Sequence, residues 1–427
     1  MILSNVTTPL LGIVDTAVVG HLPDPAYLGA VAVGATLFTL LFWGFGFLRM
    51  GTGGLTAQAF GARDPGEIRA ILGRTLLLGA AIGTALIVLH PLIGRIALPL
   101  IGPADDVAES ARAYFNIRIW SAPAVLMGYA FLGWTLGVQR AHVTLVISLF
   151  TNGLNILLDL LFVLGFGWGI HGVAAGTVIA EWAAAAFGIF IVLRLARSEF
   201  PGRWERARIL DRSALRRLFS VNRDIFIRTL CLIGAWLWVT NRGAQIGTVA
   251  LASNALLFQF QAFMAFGLDG FAHASETLVG EAKGAGDRAA LRTAVTITTA
   301  AAAACAALYS VVYFSAGDVM VRLLTNIPEL RAEAGRYLAW VAISPLISVW
   351  SFQLDGIFIG ATRTAAMRNG MAVSLAIFVA LTLALVPAFG NHGLWLSYVV
   401  FMAARGVTLG VRYPALEKAV ERHVPSA

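Results

Sequence analysis

The stretch Gly61-Ala62-Arg63-Asp64-Pro65-Gly66-Glu67-Ile68-Arg69 returns 223 positions later as Gly284-Ala285-Gly286-Asp287-Arg288-Ala289-Ala290-Leu291-Arg292, with Gly, Ala, Asp and Arg in matching places. The same shift carries Gly133, Gly137 and Arg140 onto Gly356, Gly360 and Arg363, and a shift of 221 carries His171-Gly172 onto His392-Gly393. Each match alone is weak in a chain with 44 glycines. Held in one register across most of the chain, they mark the duplication of an ancestral unit. In a hydrophobic chain such a repeat points to a transporter whose substrate site lies between its two halves.

The composition supports a membrane setting. Apolar residues make up 58% of the 427 and charged residues only 13%, about half the share in a soluble domain; the mean hydropathy is +0.79. Cys231 and Cys305 both lie in apolar runs, which argues against a disulfide framework and a zinc site. The net charge of +8 is spread over short loops between apolar spans, the pattern of a cytoplasmic membrane face and not of a nucleic-acid groove. No cleavable signal peptide is evident, because the first apolar stretch lacks a basic lead and contains Asp15. That stretch begins at Met1 with no polar lead-in, and the expectation is a start that lies upstream or a truncated copy.

Apolar stretches predict twelve membrane helices, near 1–21, 28–60, 68–98, 107–138, 142–165 and 169–196 in the first half and 222–245, 249–283, 288–316, 330–361, 365–388 and 393–413 in the second. Each meets the length of about 20 residues needed to cross the hydrocarbon. Basic residues gather on one face at Arg63, Arg69, Arg74, Arg140, the stretch from Arg194 to Arg223, Lys283, Arg288, Arg292, Arg363, Arg368 and Lys418. The positive-inside rule puts that face and both termini in the cytoplasm. The expected organisation is an amino-terminal lobe over 1–196, a basic cytoplasmic linker over 197–221 and a carboxy-terminal lobe over 222–427. Six spans per half gives the lobes the same orientation, with their pseudo-twofold axis along the membrane normal.

A carboxylate at the centre of a span costs roughly 2.5–3.5 kcal/mol on insertion scales, so each intramembrane acid calls for a reason. Asp15 and Asp159 each lie six residues before the outer end of a helix, roughly 9 Å deep at about 1.5 Å per residue, and Thr177 lies roughly 12 Å below the same boundary. Asn155 is one turn from Asp159 on the same face. This all-oxygen set can hold Na⁺ or share protons between buried acids; the alternative is that the acids only hydrogen-bond neighbouring helices. Pro9 can kink the first helix and leave it able to bend. In the second half Asp269, His273 and Glu276 share a helix face, and Asp269 and Asp355 both occur as Leu-Asp-Gly. With Glu181, these residues are candidates for substrate binding or a proton relay; alternatively Asp355 and Asp269 neutralise Arg228 or sit at the wet inner interface. Arg49 reads as a snorkelling interfacial residue, or as a counter-ion to one of these acids. No catalytic or metal-ligating motif is present, which speaks against an enzyme.

Val14-Asp15-Thr16-Ala17-Val18-Val19-Gly20-His21-Leu22, Ala57-Gln58-Ala59-Phe60-Gly61-Ala62 and Leu354-Asp355-Gly356-Ile357-Phe358-Ile359-Gly360-Ala361-Thr362 resemble the multidrug and toxic compound extrusion (MATE) family, closest to its DinF-like branch. The resemblance spans nearly the whole chain. It implies an all-α integral membrane protein of twelve transmembrane helices, in two pseudo-twofold-related six-helix lobes forming a V around a central cavity. It also implies export of small cationic or amphipathic organic compounds by H⁺ or Na⁺ antiport. The family's amino-lobe cation site falls by motif on Asp15, Asn155, Asp159 and Thr177. The expectation that follows is a monomeric, multi-pass protein of the bacterial inner membrane, with membrane lipid and substrate as partners, no nucleic acid, and no cofactor beyond the coupling ion. A lipid-linked precursor flippase of the same broad superfamily is the alternative, although its pyrophosphate substrate calls for a cationic cavity and the acids noted above oppose that. Under the 223 shift Asp15 falls on Trp238 and Asp159 on Thr382, so the repeat duplicates scaffold and not chemistry.

Overall fold

A computed structural model describes residues 25–102 and 104–420. Among these residues the secondary structure is helical throughout, with no strand. The chain divides into two compact units, Met1–Leu218 and Phe219–Ala427. The first contains α1 (Pro25–Gly44), α2 (Phe47–Gly61), α3 (Pro65–Ile101), α4 (Asp105–Arg118), α5 (Ala122–Gly137), α6 (Ala141–Asp159), α7 (Gly169–Glu199), α8 (Arg206–Ile209) and the start of α9 (Arg212–Ile246). The second continues with α10 (Thr248–Gly284), α11 (Arg288–Leu324), α12 (Pro328–Gly360), α13 (Thr364–Gly410) and α14 (Tyr413–Lys418).

Among the described residues nine helical runs are long and apolar enough to cross a membrane. Their outward faces carry side chains such as Val88, Leu92, Phe190, Leu308, Phe314 and Leu323, all well exposed, as expected of helices solvated by lipid. The expected first span lies outside the described residues. The span expected at 222–245 forms the second part of α9 but is not among the nine, since Arg223, Asp224, Arg228 and Arg242 punctuate it. The last two expected spans form one run, broken where Gly390 takes a φ of +55°. Two further spans are broken: the one expected at 28–60 turns at Phe45–Gly46, and the one at 107–138 passes through a 3₁₀ turn at Ile119–Ser121. Short breaks of this kind leave the apolar pattern unchanged on both sides, so hydropathy does not register them.

The duplication is visible in the backbone. Arg63 and Gly286 both take a positive φ, +52° and +69°, as do Gln139 and Thr362, +62° and +49°; each pair is related by the 223 shift. Asp64 and Asp287 then cap the following helices, accepting from the Glu67 and Ala290 amides at 3.0 and 2.9 Å. The 221 shift pairs Gly169 and Gly390, with φ of +54° and +55°. The helix crossings repeat as well. A methyl group at Gly133 would strike the Arg49 carbonyl oxygen, and one at Gly137 would reach the Gly53 oxygen at 2.9 Å. In the second unit the same places are taken by Gly356 on the Ala272 oxygen and Gly360 on the Glu276 oxygen. Both contacts are again 223 residues on, partner for partner, so α5 crosses α2 as α12 crosses α10.

The basic linker is built onto the first unit. Helix α7 continues through Glu199, and residues 200–211 fold back over α3. The buried Arg69 guanidinium donates to the Phe200 and Pro201 carbonyls at 2.6 and 2.7 Å. Arg74 grips Glu67 at 2.7 Å and donates to the Arg208 carbonyl at 2.8 Å, while Arg208 pairs with Asp64 at 2.9 Å. Partial burial pushes the Asp64 carboxyl up, but the Glu67 amide and Arg208 together outweigh it and hold it below its ordinary 3.8. A lowered folded value means this tie is at full strength above pH 3.8 and is lost only as the pH falls through the lowered value. The Asp64–Arg208 tie is therefore insensitive to pH across the neutral range.

Two outcomes follow from these contacts. Gly356→Ala is expected to cost about 1–3 kcal/mol through overpacking, read as a lower thermal midpoint of the detergent-solubilised protein. Gly335→Ala on the same helix, where nothing lies within 4 Å, is expected to cost nothing. Arg74→Gln is expected to free the linker, so that trypsin cleaves after Arg203 and Arg206 roughly tenfold faster if about 1.4 kcal/mol of docking is lost; an unchanged cleavage rate would show that Arg74 does not hold it.

Candidate functional site

In the first unit three of the sequence-expected residues, Asn155, Asp159 and Thr177, lie at or beside the end of α6. Asn155 and Asp159 are one turn apart, so their side chains meet, and the Asn155 amide donates to Asp159 Oδ2 at 3.0 Å. Both are buried, Asp159 completely and Asn155 to within 1%. Immediately after Asp159 the α-helix gives way to a π turn over Leu160–Gly165, closed by the Phe166 amide on the Leu161 carbonyl at 2.9 Å. A π turn inserts an extra residue and is a frequent mark of functional sites. The carboxylate lies against α7 at Gly176, where a methyl group would come within 2.6 Å of Asp159 Oδ1. Thr177, the next residue, is also buried and donates its hydroxyl to the Val173 carbonyl at 2.9 Å. Asn155, Asp159 and the α7 segment carrying Thr177 thus adjoin. Asp15 and Pro9 lie outside the described residues.

Glu181 is one turn beyond Thr177 and pairs with Arg118 on α4 at 3.1 Å; the Arg118 guanidinium also stands 5.2 Å from the Phe38 ring centre. Arg49, at the start of α2, is half-buried and not fully exposed. The arginine at 118 was not singled out from the sequence, although a cation well inside a predicted span is the signal that marks it.

In the second unit His273 Nδ1 stands 3.8 Å from Glu276 Oε2 on α10, with Asp269 half-buried one turn earlier. Asp355 on α12 is paired with two arginines, Arg228 of α9 and Arg405 of α13, the latter at 2.8 Å. Of the readings open for Asp355, neutralisation of Arg228 is the one the geometry contains, and Arg405 joins it. Arg405 escaped the sequence reading because it sits within a span, 50 residues from its partner.

The repeat adds a second view of the amino-terminal positions. Under the 223 and 221 shifts Asp15, Asn155, Asp159, Thr177 and Glu181 correspond to Trp238, Phe378, Thr382, Tyr398 and Met402. In the second unit Trp238 Nε1 donates to Thr382 Oγ1 at 2.8 Å. Phe378 and Met402 form part of one buried cluster, against which Trp238 and Tyr398 pack. The five positions come together there as an aromatic core.

With this geometry in view, comparison with known proteins defines the class. The MatE family profile matches residues 1–161 and 237–385. The chain is 44% identical over 410 residues to the DNA damage-inducible protein F of Escherichia coli (strain K12), covering 96% of this chain and 89% of that one. It is 23% identical over 264 residues to the multidrug export protein MepA of Staphylococcus aureus, covering 62% and 58%. A crystal structure of MATE in the bent conformation superposes with a TM-score of 0.89 at 18% identity, covering 98% and 94%, so the fold is shared. The chain belongs to the MatE family of multi-pass membrane transporters, and it is not an enzyme.

Gly176→Ala is expected to displace the Asp159 carboxylate and cost about 1–3 kcal/mol by overpacking. In an Asp159→Ala background the same substitution is expected to cost far less, a double-mutant cycle read in thermal midpoints. Equal costs in both backgrounds would show that Gly176 does not serve to seat this carboxylate.

Proposed function

We propose that the protein is a secondary active efflux transporter of the bacterial inner membrane, with both termini cytoplasmic. It exports small cationic or amphipathic organic compounds in exchange for H⁺ or Na⁺. Asp15, Asn155, Asp159 and Thr177 form the cation-coupling site, and Pro9 is the hinge of the first helix. The observation that carries this reading is the convergence of the equivalent positions in the second unit, where Trp238 bonds Thr382 and packs, as Tyr398 does, against the cluster that holds Phe378 and Met402. Two copies of one scaffold bring equivalent positions together, which supports a single polar site made by the amino-terminal set.

The partner of Asp159 supports the same role. An Asn amide carries both donors and an acceptor, so it can face a carboxylate or a carboxylic acid, whereas a guanidinium only donates and holds the ionised form alone. Asp159 meets the amide of Asn155, a partner that tolerates gain and loss of a proton or its replacement by Na⁺. Neutralisation of Asp15 and Asp159 then removes the charge that resists bending of the first helix, and that bending releases the substrate. Glu181, Asp269 and His273 serve as further polar contacts for the substrate or the proton. Asp355 is left out of this set because two arginines take up its charge.

The test is uptake of a cationic dye into vesicles carrying the reconstituted protein under imposed H⁺ or Na⁺ gradients. Gradient-driven flux is expected to be saturable, and Asp15→Asn and Asp159→Asn are expected to abolish it while folded protein stays in the membrane. Undiminished flux in the Asp15→Asn variant would sink the assignment.

A further inference from the structure

The second unit contains a buried charge imbalance that cation coupling does not use. Arg228 and Arg405 are each 6% exposed and Asp355 is 7% exposed. Both guanidiniums bind the same carboxylate oxygen, Oδ2. Among the described residues Asp355 is the one carboxylate within ion-pair distance of either arginine. Among the described residues the side chains that act most strongly on the Arg405 charge are Asp355, Arg228 and the phenol of Tyr398. Two cations and one anion leave a single positive charge in a helical interior.

A buried charge without a counter-charge is expensive, and removing one member of a buried pair is strongly destabilising because it leaves such a charge behind. The remaining donors point the same way. The Nε–H groups of Arg228 and Arg405 are both buried and have no hydrogen-bond partner among the described residues, although native proteins satisfy nearly all such groups. Arg405 is also flanked by the rings of Phe352 and Phe401, whose centres lie 6.0 and 5.7 Å from its guanidinium carbon. An apolar aromatic wall beside unsatisfied guanidinium donors fits a ligand with one anionic group and a flat apolar body.

We propose that Arg228, Asp355 and Arg405 form an anion-binding site in the carboxy-terminal unit that takes one monovalent anionic group, either chloride or the carboxylate of an aromatic compound. Asp355 fixes the two guanidiniums in place, and the bound anion completes their coordination and cancels the surplus charge. The site is distinct from the Asn155–Asp159 pair in residues and in sign, and it does not depend on the transport reading.

Thermal unfolding of the full-length, detergent-solubilised protein tests this with three probes: sodium chloride, sodium benzoate and neutral benzamide. An anion that binds the native state raises the midpoint with a saturating concentration dependence. The expected result is a saturable rise with benzoate, chloride or both, and none with benzamide. A response to chloride alone identifies a resident ion, and a response to benzoate identifies recognition of an organic carboxylate. In Arg405→Gln the Arg228–Asp355 pair is neutral, and the anion response is expected to vanish. Arg405→Lys keeps the charge and is expected to retain the response, with weaker affinity because the planar fork is lost. No anion response in the wild-type protein, or an equal response in wild type and Arg405→Gln, would overturn the proposal. The wild-type arm decides even if a variant fails to fold.

Discussion

In each unit the structure depends on a close approach between two helix backbones, made possible by a pair of glycines one turn apart. Lipid tails are as apolar as leucine, so helices within a membrane gain little from burying apolar side chains on one another. Small residues that let backbones approach supply the missing packing. Gly133 and Gly137 bring α5 onto α2, and Gly356 and Gly360 bring α12 onto α10. The atoms met at Gly133, Gly356 and Gly360 are the carbonyl oxygens of Arg49, Ala272 and Glu276, with the Gly53 oxygen among those near Gly137. Because the contact is made by backbone oxygens, the side chains on them are free to change. That is why a guanidinium at 49 can stand where a methyl group stands at 272, and a hydrogen at 53 where a carboxylate stands at 276, without loss of the crossing.

This freedom accounts for the different chemistry of the two copies. At one set of repeat-related positions the first unit has Asn155, Asp159, Thr177 and Glu181, and the second has Phe378, Thr382, Tyr398 and Met402. The second unit instead has a buried acid at Asp355, a position that corresponds to Leu132 in the first. Its partners also differ in kind. Asp159 meets an amide and Asp355 meets two guanidiniums. One arrangement accommodates either protonation state, and the other holds a fixed charge and leaves positive potential over. The two units therefore surround their buried acids with unlike partners, at positions that the repeat does not relate.

Much of the fold was legible in the sequence because the signals were local. Apolar length marked the helices, and the Gly, Ala, Asp and Arg matches at a shift of 223 marked the repeat. The Asn155–Asp159 contact was readable from i, i+4 spacing alone. What escaped was of two kinds. The π turn after Asp159 lies within Leu160–Gly165, an apolar run in which nothing distinguishes an i+5 from an i+4 bond. The pairing of Asp355 with Arg228 was among the readings open from the sequence, but its second partner, Arg405, lies 50 positions away, and a distance of that kind leaves no mark on local periodicity. The seating of Asp159 against Gly176 escaped for the same reason, since a glycine in a helix does not announce what fills the space of its missing side chain.

Several basic residues between and near the spans also have a structural role that an orientation rule does not require. The carbonyls at the end of a helix lack intrahelical donors and carry the negative end of the macrodipole. Arg69 donates to Phe200 and Pro201 just past α7, Arg74 to Arg208 and Ile209 at the end of α8, Lys283 to Ala361 at the end of α12, and Arg331 to Arg322 and Thr325 at the end of α11. Orientation asks only for positive charge near the inner surface, which lysine supplies as well as arginine. The geometry asks for more at Arg69, where a single nitrogen reaches two successive carbonyls and a second nitrogen reaches the Arg203 carbonyl at 3.3 Å. A lysine there would preserve the topology and lose the planar fork that spans the three carbonyls. The choice of arginine at this buried position is thus explained by the fold of the linker, and the charge by the membrane.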